Sequence, residues 1–108
     1  MGSSGYLGEL EQMVLLAVRR LGDEAYGLGI VDVLQECIGR SVSRGTVYVT
    51  LDRLEEKGLL SSRQGPTVPG RGGRARRLLT VTDEGLEALA EARRAWQSLW
   101  EGLAWEES

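Results

Sequence analysis

The chain has 108 residues, 13 basic and 16 acidic side chains, a net charge of −3, one cysteine and no histidine. That length holds one small domain, or one with an extension, and leaves apolar surface that a second copy of the chain would cover. The composition excludes an internal disulfide framework, argues against a Cys/His zinc site and contains no apolar run of the roughly 18 residues a membrane span needs.

Met1 to Gly5 reads as a tag remnant or a disordered start, and no signal-peptide pattern is seen. Together with the single thiol, this predicts a reducing, cytoplasmic setting. The expected division is a start over 1–6, a domain over 7–81, and a last helix with its tail over 82–108.

Leu7 to Leu21 predicts a first helix, with Leu10, Met13, Val14, Ala17, Val18 and Leu21 at three- and four-residue spacing. Gly22-Asp23 ends it, and Asp23 is expected to cap a second helix from Glu24 to about Ile38. Ile30, Val31, Leu34, Cys37 and Ile38 form the expected buried face of that helix. Gly27 and Gly29 suit close approach by another helix, and Gly39 suits a left-handed terminus.

The third helix is the best specified. Ser43 is its expected N-cap, accepting from the Thr46 amide, with Val42 and Val47 as a hydrophobic staple. Val47, Leu51 and Leu54 form its inner stripe. Lys57-Gly58 closes it. A short strand over Leu59 to Arg63 follows, then a loop over Gln64 to Arg74 that holds both prolines, then a returning strand over Arg76 to Val81. In the returning strand Leu79 and Val81 are expected on one face, Leu78 and Thr80 on the other. Thr82 is expected to cap the last helix, which runs to about Leu103.

The charge is unevenly spread. Ser43 to Val81 carries +5 and the remainder −8. Screening over roughly 8–10 Å makes the local patch matter more than the total. The order of parts, a capped helix followed by an arginine-tipped hairpin, is that of a winged helix-turn-helix. The expected fold is mainly α with one small β-hairpin and a C-terminal dimerisation helix.

Such a helix enters the major groove of double-stranded DNA by its N-terminal turns. Those turns carry Ser43, Arg44, Thr46, Tyr48 and Val49, with Arg53 on a shoulder. Arg44 suits a bidentate contact to guanine, and Val49 suits a thymine methyl. Ser43, Thr46 and the Tyr48 hydroxyl suit phosphate oxygens. Arg71, Arg74 and Arg76 load the hairpin, with Arg77 beside them, and such a tip suits a minor groove or a phosphate backbone. A nucleotide-cradling loop would need a strand-loop-helix order, which this loop lacks.

Leu86, Leu89, Trp96, Trp100 and Leu103 recur at a/d spacing along the last helix, with Arg93 interrupting the seam. Two readings of the tryptophans coexist. One is packing at a dimer interface; the other is a flat aromatic pocket that stacks a planar ligand. An enzyme is disfavoured: there is no histidine, the cysteine falls on an apolar face and the carboxylates line solvated helix faces. No cofactor is implied.

Several segments resemble the PadR family of bacterial transcriptional regulators. They are Leu7-Gly8-Glu9-Leu10-Glu11, Ala25-Tyr26-Gly27, Val42 to Tyr48, Leu51 to Leu60 and Gly72 to Arg77, in the family's order. The resemblance implies a winged helix-turn-helix, a homodimer through the terminal helices, and repression from a palindromic operator, often released by a small molecule. It assigns Ser43, Thr46 and Tyr48 to the recognition-helix motif and Arg74 and Arg76 to the wing motif. Leu78 and Leu79 stand where family members often have an aromatic. The single terminal helix resembles the short-tailed branch, some of which bind planar drugs near interface tryptophans. The alternative from another class is a winged helix that docks an acidic protein partner without binding DNA.

Overall fold

A computed structural model of the chain describes residues 7–67 and 75–103. Four helices and one hairpin follow in order: α1 (Glu9–Leu21), a single 3-10 turn (Gly22–Glu24), α2 (Gly27–Ile38), α3 (Arg44–Glu56), β1 (Leu60–Thr67), β2 (Ala75–Val81) and α4 (Asp83–Trp100). Helices α1 to α3 enclose one apolar core, and the hairpin closes it. Val14, Leu15, Ile30, Val47, Leu51 and Leu54 are fully buried there, joined by Leu60, Leu79 and Val81 from the strands. No helix among the described residues is long and apolar enough to cross a membrane.

α1 starts at Glu9, two residues later than expected. The Gly8 amide donates to the Glu11 carboxylate at 2.9 Å, which closes the first turn from inside. α2 starts three residues later than expected, and Asp23 does not cap it. Gly22 to Glu24 form a separate turn, and Ala25 stays extended and fully buried. The reason is tertiary: the Ala25 carbonyl accepts the Leu79 amide of β2 at 3.0 Å, so that residue belongs to the edge of the hairpin. Helix formation resumes only after Tyr26, and Gly39 ends α2 in the left-handed region as expected.

Burial on α2 also departs from expectation. Ile30 and Leu34 are in the core and Val31 is half-buried, but Cys37 and Ile38 are exposed. Leu34 is the last α2 side chain the core reaches. The final turn instead overhangs an open groove of about 460 Å³ beside Met13, Leu16 and Val33.

α3 forms as expected. The Thr46 amide donates to Ser43 Oγ at 3.1 Å, and Val42 packs against the core. Thr50 joins the buried face, its hydroxyl satisfied by the Thr46 carbonyl at 2.8 Å. This is the usual way a mid-helix threonine tolerates burial. Gly58 takes φ +80° after Lys57 and turns the chain into β1.

β1 is longer than expected, reaching Thr67. It pairs antiparallel with β2 from Leu60↔Val81 to Gln64↔Arg77, and the register then slips before Thr67↔Ala75. Pro66 sits in that slip, where a missing N–H costs no ladder bond. Leu78 is buried as well as Leu79 and Val81, against the expected alternation. A side chain at position 65 would lie 2.8 Å from Leu78, so Gly65 lets that leucine cover the outer face of the hairpin.

Thr82 caps α4, accepting the Gly85 amide at 3.0 Å while donating to the Gly58 carbonyl at 2.7 Å. α4 ends at Trp100 rather than near Leu103. Its two halves differ. Leu86 and Leu89 are half-buried and pack against the domain's own core. Trp96, Leu99, Trp100 and Leu103 are exposed.

Candidate nucleic-acid interface

The first turns of α3 stand clear of the domain. Ser43, Arg44, Gly45 and Thr46 are exposed, and nothing lies within 4 Å of a Cβ built at Gly45. Val49 is more than half exposed, an uncommon state for a valine in the middle of a core helix. Among the described residues no ion pair holds Arg44, Arg53 or Arg63. These three guanidinium groups share one exposed state, two on α3 and one on β1. Ser43 is partly committed: its hydroxyl donates to Thr46 Oγ1 at 2.8 Å while accepting the Thr46 amide.

Tyr48 does more than line the outer face. A Cβ at Gly27 would lie 2.6 Å from the Tyr48 hydroxyl, so the tyrosine reaches the N-terminus of α2 only because residue 27 is glycine. That terminus has no side-chain cap and no acidic residue in its first turn. Its leading amides therefore keep their partial positive charge for an anion. Tyr26, the residue before the helix, carries the Arg76 guanidinium over its ring at 4.5 Å from the centroid. Arg76 is half-buried, and its Nε has no hydrogen-bond partner among the described residues.

The Tyr48 hydroxyl, the α2 amides and Arg76 thus converge on one corner. Sequence reading named Tyr48 and Arg76 but missed Tyr26 and Gly27 as parts of the same surface. The signal was the order tyrosine-glycine at a helix start. Arg71 and Arg74 fall outside the described residues.

Arg77 is not a free wing charge. Its two terminal nitrogens reach Asp52 at 3.1 Å and Glu55 at 2.6 Å on α3. Burial works against its charge, but Glu55 and Asp52 outweigh that and raise its pKa. Glu55 also accepts from Ser62 of β1 at 2.8 Å. The Ser62 and Arg77 hydrogen bonds hold its carboxyl below the ordinary range against a small burial effect. Behind them, Lys57 at the end of α3 reaches Glu11 of α1 at 2.8 Å. Burial alone would raise the Glu11 pKa, but Lys57 and the Gly8 amide lower it overall.

On the far side, Arg93, Trp96 and Trp100 of α4 face Gln12 and Leu16 of α1 across a groove of about 450 Å³. Leu89 lines the same groove, Leu86 packs against the core nearer the start of α4, and Leu103 lies exposed beyond the end of the helix.

A capped outward helix followed by a hairpin, built on a three-helix core, defines a winged-helix protein. The model of the transcriptional regulator PadR-like family matches residues 14–91, and the chain belongs to that family. It is a regulator and not an enzyme. The transcriptional regulator Rv3488 of Mycobacterium tuberculosis (strain ATCC 25618 / H37Rv) is 49% identical over 61 residues, covering 56% of this chain and 53% of that protein. The match thus spans about half the length of that curated relative. Among solved structures, a PadR-like transcription factor from Bacteroides fragilis is 32% identical with a TM-score of 0.69, covering 85% of this chain and 84% of that one. A PadR family regulator from Eggerthella lenta DSM 2243 is 34% identical with a TM-score of 0.65, covering 87% and 81%.

Proposed function

We propose that the chain is a cytoplasmic, homodimeric repressor that binds a palindromic operator in double-stranded DNA. The observation that carries this reading is the exposed N-terminal face of α3, with Arg44 and Val49 exposed and Arg44 in no ion pair among the described residues, in a chain whose wing is basic by sequence. Arg44 reads guanine and Val49 a thymine methyl. Thr46, Tyr48 and Arg53 meet phosphates, with Ser43 contributing chiefly by holding the first turn. Arg76, stacked on Tyr26, and the α2 amides take a second phosphate, and Arg71 and Arg74 extend the contact along the backbone.

Residues 7–81 form the DNA-binding unit and 82–108 the dimerisation helix and tail. Exposed Trp96, Trp100 and Leu103 are the apolar surface two copies would share across a two-fold axis, setting half-sites about one helical turn apart. The groove holding Trp96, Trp100 and Arg93 supports release by a planar aromatic effector seated between the copies.

Selection from random duplexes, titrated at two salt concentrations, tests the core of this reading. The expected outcome is an enriched palindrome whose affinity falls steeply as salt rises. Arg74→Ala is expected to weaken all duplexes alike, and Arg44→Ala to weaken binding and relax sequence choice. Binding without enrichment would leave a nonspecific DNA coater. No binding by folded protein would favour the wing as a dock for an acidic protein. A monomer in micromolar sedimentation would end the dimer.

A further inference from the structure

Two of the three acidic residues of α3 share one arginine of the wing. Asp52 and Glu55 are three apart, and both lie under the wing, not beside the outward N-terminal turns. Close to DNA, two such carboxylates would repel phosphate. Here one guanidinium spans them, and the pair reaches both strands: Arg77 comes from β2, and Ser62, which donates to the second Glu55 oxygen, comes from β1. The Arg77 side chain is only one-third exposed. Its planar fork matches two acceptors at once, which a lysine ammonium does not.

Away from α3, the Leu79 amide of β2 on the Ala25 carbonyl and Arg76 over Tyr26 tie the hairpin to the segment before α2, and the rest of the wing base is held by apolar contact. Leu60, Leu79 and Val81 are buried, but such contacts are non-directional and leave tilt poorly specified. Among the described residues, the three-residue ionic bridge and the Ser62 hydrogen bond are the side-chain polar contacts between α3 and the hairpin.

We propose that Arg77 is a positioning residue: by bridging Asp52 and Glu55 it fixes the tilt of the wing against the recognition helix, and so sets the distance between groove contacts and wing contacts on one half-site. Arg77 therefore makes no phosphate contact, although it belongs by sequence to the wing's basic run. The inference rests on the DNA-binding reading above.

The test compares wild type, Arg77→Gln, Arg77→Lys, Glu55→Gln and the Glu55→Gln/Arg77→Gln double variant on the selected duplex and on a random duplex, over a salt series. A positioning role predicts that Arg77→Gln lowers the selected-to-random affinity ratio about tenfold with the salt slope unchanged. Arg77→Lys is expected to lower it nearly as far, because the charge remains but the fork is gone. Glu55→Gln is expected to lower the ratio too, and the double variant to fall no further than the worse single.

A phosphate ligand would behave otherwise. Both duplexes would weaken together, the slope would drop by about 0.9, and lysine would rescue. That result overturns the proposal, as does a ratio unmoved by Glu55→Gln. If Arg77→Gln fails to fold, Arg77→Lys and Glu55→Gln still decide it. If wild type itself prefers no duplex, the DNA-binding reading fails separately. The bridge is then judged by amide exchange: faster exchange along β1 and β2 in Arg77→Gln and Arg77→Lys keeps it, and unchanged exchange removes it.

Discussion

α3 and the distal half of α4 carry the same sequence signal with opposite outcomes. Val47, Leu51 and Leu54 recur at helical spacing and are fully buried. Trp96, Leu99, Trp100 and Leu103 recur at similar spacing and remain 46–74% exposed. Periodicity marks a face but not what covers it. α3 is covered by its own chain, because α1, α2 and the hairpin all reach it. α4 is half-buried near its anchor at Thr82, whereas past Leu89 its side chains stay largely exposed beside an open groove that Gln12 and Leu16 of α1 share with Trp96 and Trp100.

The largest expected effect tests that contrast directly. Leu51→Ala empties a fully buried site and should cost about 3 kcal/mol, with about 2–5 the usual range for such truncations. Leu99→Ala removes the same atoms from an exposed site and should cost under about 0.5 kcal/mol. Urea denaturation at concentrations where the chain sediments as a monomer measures both. Comparable costs there would dissolve the distinction between the two regions.

The anchor itself gives the next effect. A Cβ at Gly85 would strike the carbonyl of Leu59 and sit 2.7 Å from Val81 Cγ1. Backbone cannot yield as a flexible side chain can, so Gly85→Ala should cost about 2 kcal/mol, within the range for overpacking. Amide exchange should rise first in the opening turn of α4 and around Leu59. If exchange rises uniformly instead, α4 is not pinned at this point.

These two sites also show what the sequence made legible. Leu51 was readable because spacing, cap and terminator agreed along one helix. Ser43, Thr82, Gly39 and Gly58 were readable for the same reason, since each acts within a few residues of itself. Gly85 was not readable, because its constraint comes from Leu59, 26 positions away. The delayed start of α2 follows from Ala25 bonding to Leu79, and the loss of Arg77 as a free charge follows from Asp52 and Glu55. Each of those contacts crosses between elements. The candidate surface was legible for side chains on α3. It was not legible at its corner, where Tyr26 and Gly27 matter only once α2, α3 and β2 meet.

The third effect concerns the link between α1 and α3. Glu11 is about 10% exposed and bridges the Gly8 amide and Lys57. Its pKa is lowered in the folded state, so the bridge stabilises fully above the unfolded carboxylate pKa. That stability is lost as pH falls through the lowered folded value. Lys57 is nearly half exposed, which limits the gain through solvent screening. Glu11→Gln should cost about 1 kcal/mol at neutral pH. The cost should shrink toward zero at pH values below both pKa values, where Glu11 is itself protonated. Denaturation curves of both proteins from pH 7 to pH 3 check this. A difference that stays constant across that range would mean that packing, not charge, carries the contribution.

The smallest effect on the single chain is the most telling for the distal half of α4. Trp96 is 56% exposed and lines the groove against α1. In a monomer, Trp96→Ser should change stability by less than about 0.5 kcal/mol, since little of the ring leaves an apolar setting. In a two-fold dimer the same change removes two rings at once. A tryptophan buries roughly 150–250 Å² in full, and even partial cover at about 25 cal/mol/Å² makes a weakening of roughly a hundredfold in self-association reasonable. Sedimentation across a concentration series, with denaturation of the dilute sample beside it, separates the two quantities. Weakened association with unchanged dilute stability would show that this face is shaped for a second copy. Loss of dilute stability with association intact would mean that Trp96 serves its own domain, and that α4 resembles α3 more than its exposure suggests.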